Sequence, residues 1–226
     1  MMPTTDIDTL RGRAAPVEMT AAEFRSAGHR LVDQIAGWLE TVASGRVTHD
    51  ESPADVRGAL HADRGLPDAG TDASVLLDEA TQLLFDHSLF NAHPRFFGYI
   101  TSSPAPIGAL GDLLASAVNQ NVGAWRLSPM ATEIEAQTVR WIAELIGFPA
   151  GCGGLLVSGG NMANFVCFIA ARAAKAGWDV RTEGTSREGR RLLVYASTET
   201  HTWIQKAADL FGLGTDNIRW IAADAE

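Results

Sequence analysis

Residues able to do chemistry gather at three places in this chain. The first is Leu155-Leu156-Val157-Ser158-Gly159-Gly160-Asn161-Met162-Ala163-Asn164, where an apolar β-like run passes through small residues straight into an amphipathic helix. The first amides of a helix lack intrahelical acceptors and sit at the positive end of its macrodipole. Such a junction can therefore hold an anion, most often a phosphate. Glycines let the backbone come close to that anion, and Ser158 and Asn161 can add side-chain hydrogen bonds. Taken alone, Ser-Gly-Gly reads first as a tight turn with good helix packing, and the phosphate reading needs support from elsewhere.

The second place is His201, in Ser197-Thr198-Glu199-Thr200-His201. An imidazole holds or moves a proton near neutral pH. The alternative is a histidine at a helix start, capped by Ser197 or Thr198. The third is His93-Pro94-Arg95-Phe96-Phe97-Gly98-Tyr99-Ile100-Thr101-Ser102-Ser103-Pro104, which follows no helical period and reads as an ordered loop. Pattern alone slightly favours a loop that plugs the core. Its aromatic rings and hydroxyls also suit a small-molecule pocket.

The elements around these places follow from periodicity. Thr20-Ala21-Ala22-Glu23 is a capping box, followed by Phe24, Leu31, Ile35, Trp38 and Val42 at helical spacing, with Gly45 ending the run. That helix could pack on its own domain or dock on a partner subunit, with nothing to separate the two. A short helix is expected around Ala54 to Leu60. Another runs from about Ser74 to Asp86, with Val75, Leu76, Leu83 and Leu84 on its buried side and His87 at its end. Pro106 opens a helix ending near Asn119. Ser128-Pro129 places an N-cap before a proline at the first helical position of the next, which runs to Gly147.

After the helix that starts at Gly160, the polar segment Asp179 to Gly189 leads to a second β-run, Arg191–Ala196. A helix beyond His201 then leads to a third, Ile218–Ala222. These runs predict a parallel, right-handed βαβ arrangement of three strands, with its ligand at the carboxyl ends of the strands. The Ser-Gly-Gly turn and His201 both fall there, which raises the functional weight of each.

Composition excludes several classes. The chain of 226 residues carries a net charge of −9, so it has no basic surface for nucleic acid. No stretch reaches transmembrane length, and the N-terminus lacks a signal pattern, so no membrane partner is expected. Two cysteines, Cys152 and Cys167, make neither a disulfide framework nor a metal cluster, and both read as structural. A reducing cytoplasm and no metal are expected. A nucleotide-binding domain is disfavoured, because the turn lacks Gly-x-Gly-x-x-Gly spacing and no Gly-Lys-Ser/Thr occurs.

Four blocks in order resemble the pyridoxal-phosphate-dependent amino acid decarboxylases, the family of the aromatic amino acid, tyrosine, histidine and glutamate decarboxylases. They are His93-Pro94-Arg95-Phe96-Phe97-Gly98-Tyr99; Ser128-Pro129 with Thr132 and Glu135; Ser158-Gly159-Gly160-Asn161-Met162-Ala163-Asn164; and His201 with Lys206-Ala207-Ala208. The resemblance covers about Met19 to the end. It implies an α/β fold of the fold type I pyridoxal-phosphate transferase kind, a mostly parallel sheet flanked by helices, with an N-terminal helical arm and an incomplete large domain. The implied organisation is a flexible arm over residues 1–19, a helical dimerisation segment over 20–92, and the first part of the cofactor-binding domain over 93–226.

The resemblance also implies roles. Gly159, Gly160 and Asn161 would hold the phosphate of pyridoxal 5'-phosphate; many members carry Ser or Thr at the position of Asn161. His201 would stack on the pyridine ring and act near the reacting carbon. Tyr99, Ile100, Thr101 and Ser102 would line the substrate pocket of a homodimer whose active site lies at the subunit interface. The aromatic loop leans towards an aromatic L-amino acid as substrate, and the net reaction in such proteins can depart from simple decarboxylation.

One departure matters. The family uses a Schiff-base lysine preceded by His, and an aspartate against the pyridine nitrogen, both beyond the region matched here. The chain has two lysines, Lys175 and Lys206, and neither falls at the family position. Arg172 and Glu199 cannot substitute, because the bond requires an amine. The chain is thus expected to be a fragment, one half of a split protein, or a remnant. An incomplete gene product is favoured, with exposed sheet edges and no decarboxylation by this polypeptide alone. The rival expectation is a non-catalytic binding or dimerisation module.

Overall fold

The computed structural model describes residues 7–12, 17–149, 151–186 and 189–224. The chain forms two compact units, Met1–Val118 and Asn119–Glu226.

The first unit is helical: α1 (Ile7–Arg11), α2 (Ala21–Thr41), α3 (Pro53–Ala59), α4 (Ala73–Asp86) and α5 (Pro106–Val118). Within the arm expected over residues 1–19, Ile7–Arg11 is helical, while residues 1–6 and 13–16 lie outside the described residues. The capping box opens α2 as its local sequence dictates. The Glu23 amide donates to Thr20 Oγ1 at 3.2 Å, and the Thr20 amide donates to Glu23 Oε2 at 2.8 Å. Hydrogen bonds from the Thr20 hydroxyl and then its backbone amide hold the Glu23 carboxyl below the usual carboxylate range. A lowered folded-state pKa stabilises above the unfolded value and loses that contribution as pH falls through the folded one. Thr20→Ala should return Glu23 towards its ordinary titration and fray the first turn of α2, as checked by carboxyl NMR titration and amide exchange.

Helices α2 and α4 pack through Trp38, which stacks on Phe85 at 5.5 Å between ring centroids. Gln34 Nε2 donates to Asp78 Oδ1 at 3.0 Å, and Arg30 pairs with the same carboxylate. These contacts turn α4 away from the phase its apolar pattern suggests. Leu77, Thr81 and Phe85 face inward, whereas Val75, Leu76 and Leu84 of the expected buried side are exposed and Leu83 is half-buried. On α2, Leu31, Ile35 and Trp38 are half-buried, and Phe24 is exposed. His87 ends α4 and lies 2.8 Å from Glu51 Oε1, a terminus histidine as its position suggests.

The second unit holds α6 (Pro129–Leu145), α7 (Gly160–Lys175), α8 (Val180–Glu183), β1 (Val194–Ser197), α9 (Trp203–Leu210) and β2 (Ile218–Ile221). Short α8, inside the segment read as merely polar, is opened by Asp179, whose side chain accepts from the Arg181 amide at 3.0 Å. Strands β1 and β2 pair in parallel from Val194 with Ile218 to Ser197 with Ile221, and α9 makes the crossover. The core under this βαβ unit is Phe168, Ala196, Ile204, Ala207, Ala208, Leu213 and Ile218. Phe211 packs beside it, stacked on Phe168 at 6.0 Å and edge-on to Phe165 at 5.4 Å.

Two expectations are corrected here. The run Leu155–Val157 forms no strand and has no ladder partner among the described residues, so the sheet has two strands there rather than three. A strand needs a neighbour's backbone, which an apolar pattern alone cannot supply. Ser128 precedes Pro129 at the helix start, but its side chain makes no cap bond. Its buried hydroxyl instead donates to Gln120 Oε1, a partner eight residues earlier.

Candidate functional site

The Ser-Gly-Gly turn is built as a helix start that leaves its amides open. Gly159 stands at φ +137 and ψ 171, a conformation essentially confined to glycine, and makes no side-chain cap. Helix α7 begins at Gly160, and the first backbone bond into it runs from the Ala163 amide to Gly159 O at 3.0 Å. The amides before Ala163 are thus the donors a helix start presents. A Cβ at Gly159 or Gly160 would meet nothing within 4 Å, so the space beside both is open. Asn161 is exposed in the first turn, while Asn164 folds back to donate to Gly160 O at 2.9 Å. An anion-binding donor set with room in front of it fits a phosphate group.

His201 lies in the loop between β1 and α9. Its Nδ1 accepts from the Trp203 amide at 3.2 Å, so the neutral ring carries its proton on Nε2. Neither hydroxyl expected to cap it does so. Ser197 Oγ accepts from the Glu199 amide at 3.1 Å, and Thr198 Oγ1 from the Ala223 amide at 3.2 Å. His201 is exposed.

An open groove of about 560 Å³ runs along β1. It is lined by Asn164 and Cys167 of α7, by Tyr195 and Ser197 of β1, and by Thr200 and Trp203 on either side of His201. It brings the neighbours of both motifs to one surface, although Gly159, Gly160, Asn161 and His201 do not themselves line it. Cys167, read as structural, is exposed there; the buried residue of that helix face is its neighbour Phe168.

Tyr99, Ile100, Thr101 and Ser102 belong to the first unit. The loop is tied by the Asn91 Nδ2 bond to Ser102 O at 2.7 Å, and by His93, 2 % exposed, whose Nδ1 accepts from the Arg95 amide at 3.0 Å. Beyond that anchor it does not plug the core: Phe97, Tyr99 and Ile100 are almost wholly exposed. Tyr99 adopts φ +59, left-handed and uncommon for a bulky residue. The structure therefore places the turn and the His201 loop in one unit and the substrate-loop residues in the other.

Two contacts to the turn escaped sequence reasoning. The Leu156 amide donates to Glu135 Oε1 of α6 at 2.7 Å, and a Cβ on Gly154 would lie 2.7 Å from Val139 Cγ1. The available signal was Gly153-Gly154 ahead of an apolar run, since glycine in a strand often marks close approach of another element.

Geometry alone defines an α/β protein with an open anion turn at a helix start. The profile of the pyridoxal-dependent decarboxylase conserved domain matches residues 55–226, and the chain belongs to that family. It is 29% identical over 208 residues to the aromatic-L-amino-acid decarboxylase of Bacillus atrophaeus, covering 92% of this chain and 41% of that one. It is 29% identical over 217 residues to the phenylacetaldehyde synthase of Arabidopsis thaliana, covering 92% and 42%. The crystal structure of Oryza sativa TDC with PLP and tryptamine superposes with a TM-score of 0.79 at 29% identity, covering 94% of this chain and 44% of that one. The fold class is accordingly fold type I, and the chain spans about two fifths of the length of the curated relatives it matches.

Proposed function

We propose that this chain is the N-terminal part of a pyridoxal-phosphate-dependent amino acid carboxy-lyase, acting on an aromatic L-amino acid as a cytoplasmic homodimer. The observation that carries this reading is the Ser158–Asn161 turn, an uncapped helix start with open space at both glycines, in a chain of a pyridoxal-dependent family. When bound, the cofactor supplies an electron sink for the bond between Cα and the carboxylate. The amides following Gly159 bind its phosphate, and the Asn161 side chain adds a polar contact. His201, with Nδ1 occupied by the Trp203 amide, holds a proton at Nε2 and offers a flat imidazole face to the ring. The exposed Tyr99, Ile100, Thr101 and Ser102 serve the substrate side, in a site completed by the partner subunit.

The second reading, a non-catalytic binding module, is favoured by the lysines. Lys175 ends α7 and Lys206 lies on α9; both are exposed to solvent on helix surfaces rather than at the turn. The test of both readings is to add pyridoxal phosphate to the purified chain, follow its absorbance, compete with inorganic phosphate, and reduce with borohydride before mass spectrometry. Reversible binding displaced by phosphate, with both lysines unlabelled, is expected. No binding would overturn the phosphate turn. Stoichiometric labelling of Lys175 or Lys206 would overturn the view that neither serves as the cofactor lysine.

A further inference from the structure

The geometry points to helix α6 as the template that sets the phosphate turn, with Glu135 as its positioning residue; this rests on the cofactor reading above. The segment before the turn has no strand beside it among the described residues, yet one helix face bonds its backbone at one point and approaches it closely at another. Glu135 Oε1 accepts the Leu156 amide at 2.7 Å, in place of a ladder carbonyl. Val139, four residues on, approaches Gly154 so closely that a Cβ there would lie 2.7 Å from Val139 Cγ1.

The two spacings match. Four helical residues rise about 6 Å, a length two residues of chain can span, since two fully extended ones reach about 6.6 Å. The helix thus meets residues 156 and 154 in the opposite chain direction, with both contacts in register. Only Val157 separates the tethered Leu156 from Ser158, so the contact that fixes the strand also fixes where the amides after Gly159 point. An ionised carboxylate is a strong acceptor for a backbone amide, stronger than a neutral carbonyl. The same approach favours glycine at 154, since a side chain there would force either Val139 or the segment to move.

The test compares Glu135→Ala and Glu135→Gln with Glu133→Ala. Glu133 lies on the same helix but accepts from Trp125 Nε1 at 2.9 Å, so it controls for loss of a nearby carboxylate. Amide exchange across residues 153–162 and equilibrium binding of pyridoxal phosphate and of inorganic phosphate are measured on the whole chain. In Glu135→Ala, exchange at Leu156 should rise about tenfold or more and both ligands should bind at least about tenfold more weakly, the scale of one charge-assisted hydrogen bond. Glu135→Gln keeps an acceptor oxygen without the charge and should restore most of both readouts; Glu133→Ala should match the wild type. Unchanged exchange in Glu135→Ala, or faster exchange with unchanged ligand affinity, overturns the positioning role, as does failure of Glu135→Gln to restore either readout. A wild-type chain that binds neither ligand overturns the cofactor reading itself, a result distinct from wild-type binding with an indifferent Glu135→Ala.

Discussion

Phe168→Ala should destabilise the second unit by about 3–5 kcal/mol, the usual cost of removing a buried phenyl ring. Phe168 is 8 % exposed and is the largest side chain of the buried cluster beneath β1 and α9. It stacks on Phe211 at 6.0 Å and meets Trp203 edge-on at 6.5 Å, so its ring joins α7 to both ends of α9. The neighbours Ala207 and Ala208 have no exposed surface and no side-chain length with which to fill the void. A whole domain is stable by only about 5–15 kcal/mol, so the loss is a large fraction of what holds the unit together. Denaturant unfolding followed by tryptophan fluorescence reads it directly. Phe168→Leu, which keeps most of the volume, should cost under about 1.5 kcal/mol. A Phe168→Ala loss below about 1 kcal/mol would show that the α7–α9 contact is not the core.

Gly159→Ala should reduce pyridoxal phosphate binding at least about tenfold while costing about 1–3 kcal/mol of stability, because its backbone sits in a region essentially closed to other residues. The cause is conformation rather than crowding, since a Cβ there would touch nothing within 4 Å. Gly160→Ala separates the two effects. Gly160 has equally open space but no left-handed backbone and begins the helix. Alanine there should leave stability within about 0.5 kcal/mol. It should nonetheless weaken the phosphate by placing a methyl group in its approach. Isothermal binding and thermal unfolding on the same two proteins distinguish these outcomes. Equal affinity of all three proteins would mean that the turn does not hold the phosphate.

The parts legible in the sequence are those decided within a few residues. The Thr20–Glu23 box forms because both partners lie in one helical turn. Helices over Pro53–Ala59, Pro106–Val118 and Gly160–Lys175 follow from Pro at the start or apolar spacing, close to where the pattern puts them. The parallel pairing of β1 with β2 follows from a strand, helix and strand of ordinary length.

The illegible parts depend on partners distant in sequence. Helix α4 takes its phase from Asp78 and Phe85 meeting Arg30, Gln34 and Trp38 of α2, contacts that outweigh the leucine pattern. Ser128 stays at the N-cap position, but its buried hydroxyl turns to Gln120 Oε1 rather than to the helix amides. The loop over Phe97 to Ile100 stays exposed although its composition is apolar, while His93 is buried and Phe96 half-buried.

By itself the sequence determined the order of the elements, the glycine turn at the start of α7, and the family, because helix caps, turn glycines and ordered motifs are properties of neighbouring residues. Only the tertiary structure decided that Leu155–Val157 is held by Glu135 and Val139 of α6 rather than by a strand. The physical reason is that a strand is defined by what satisfies its amides. In this chain the acceptor for Leu156 is a side chain on a helix 21 residues away.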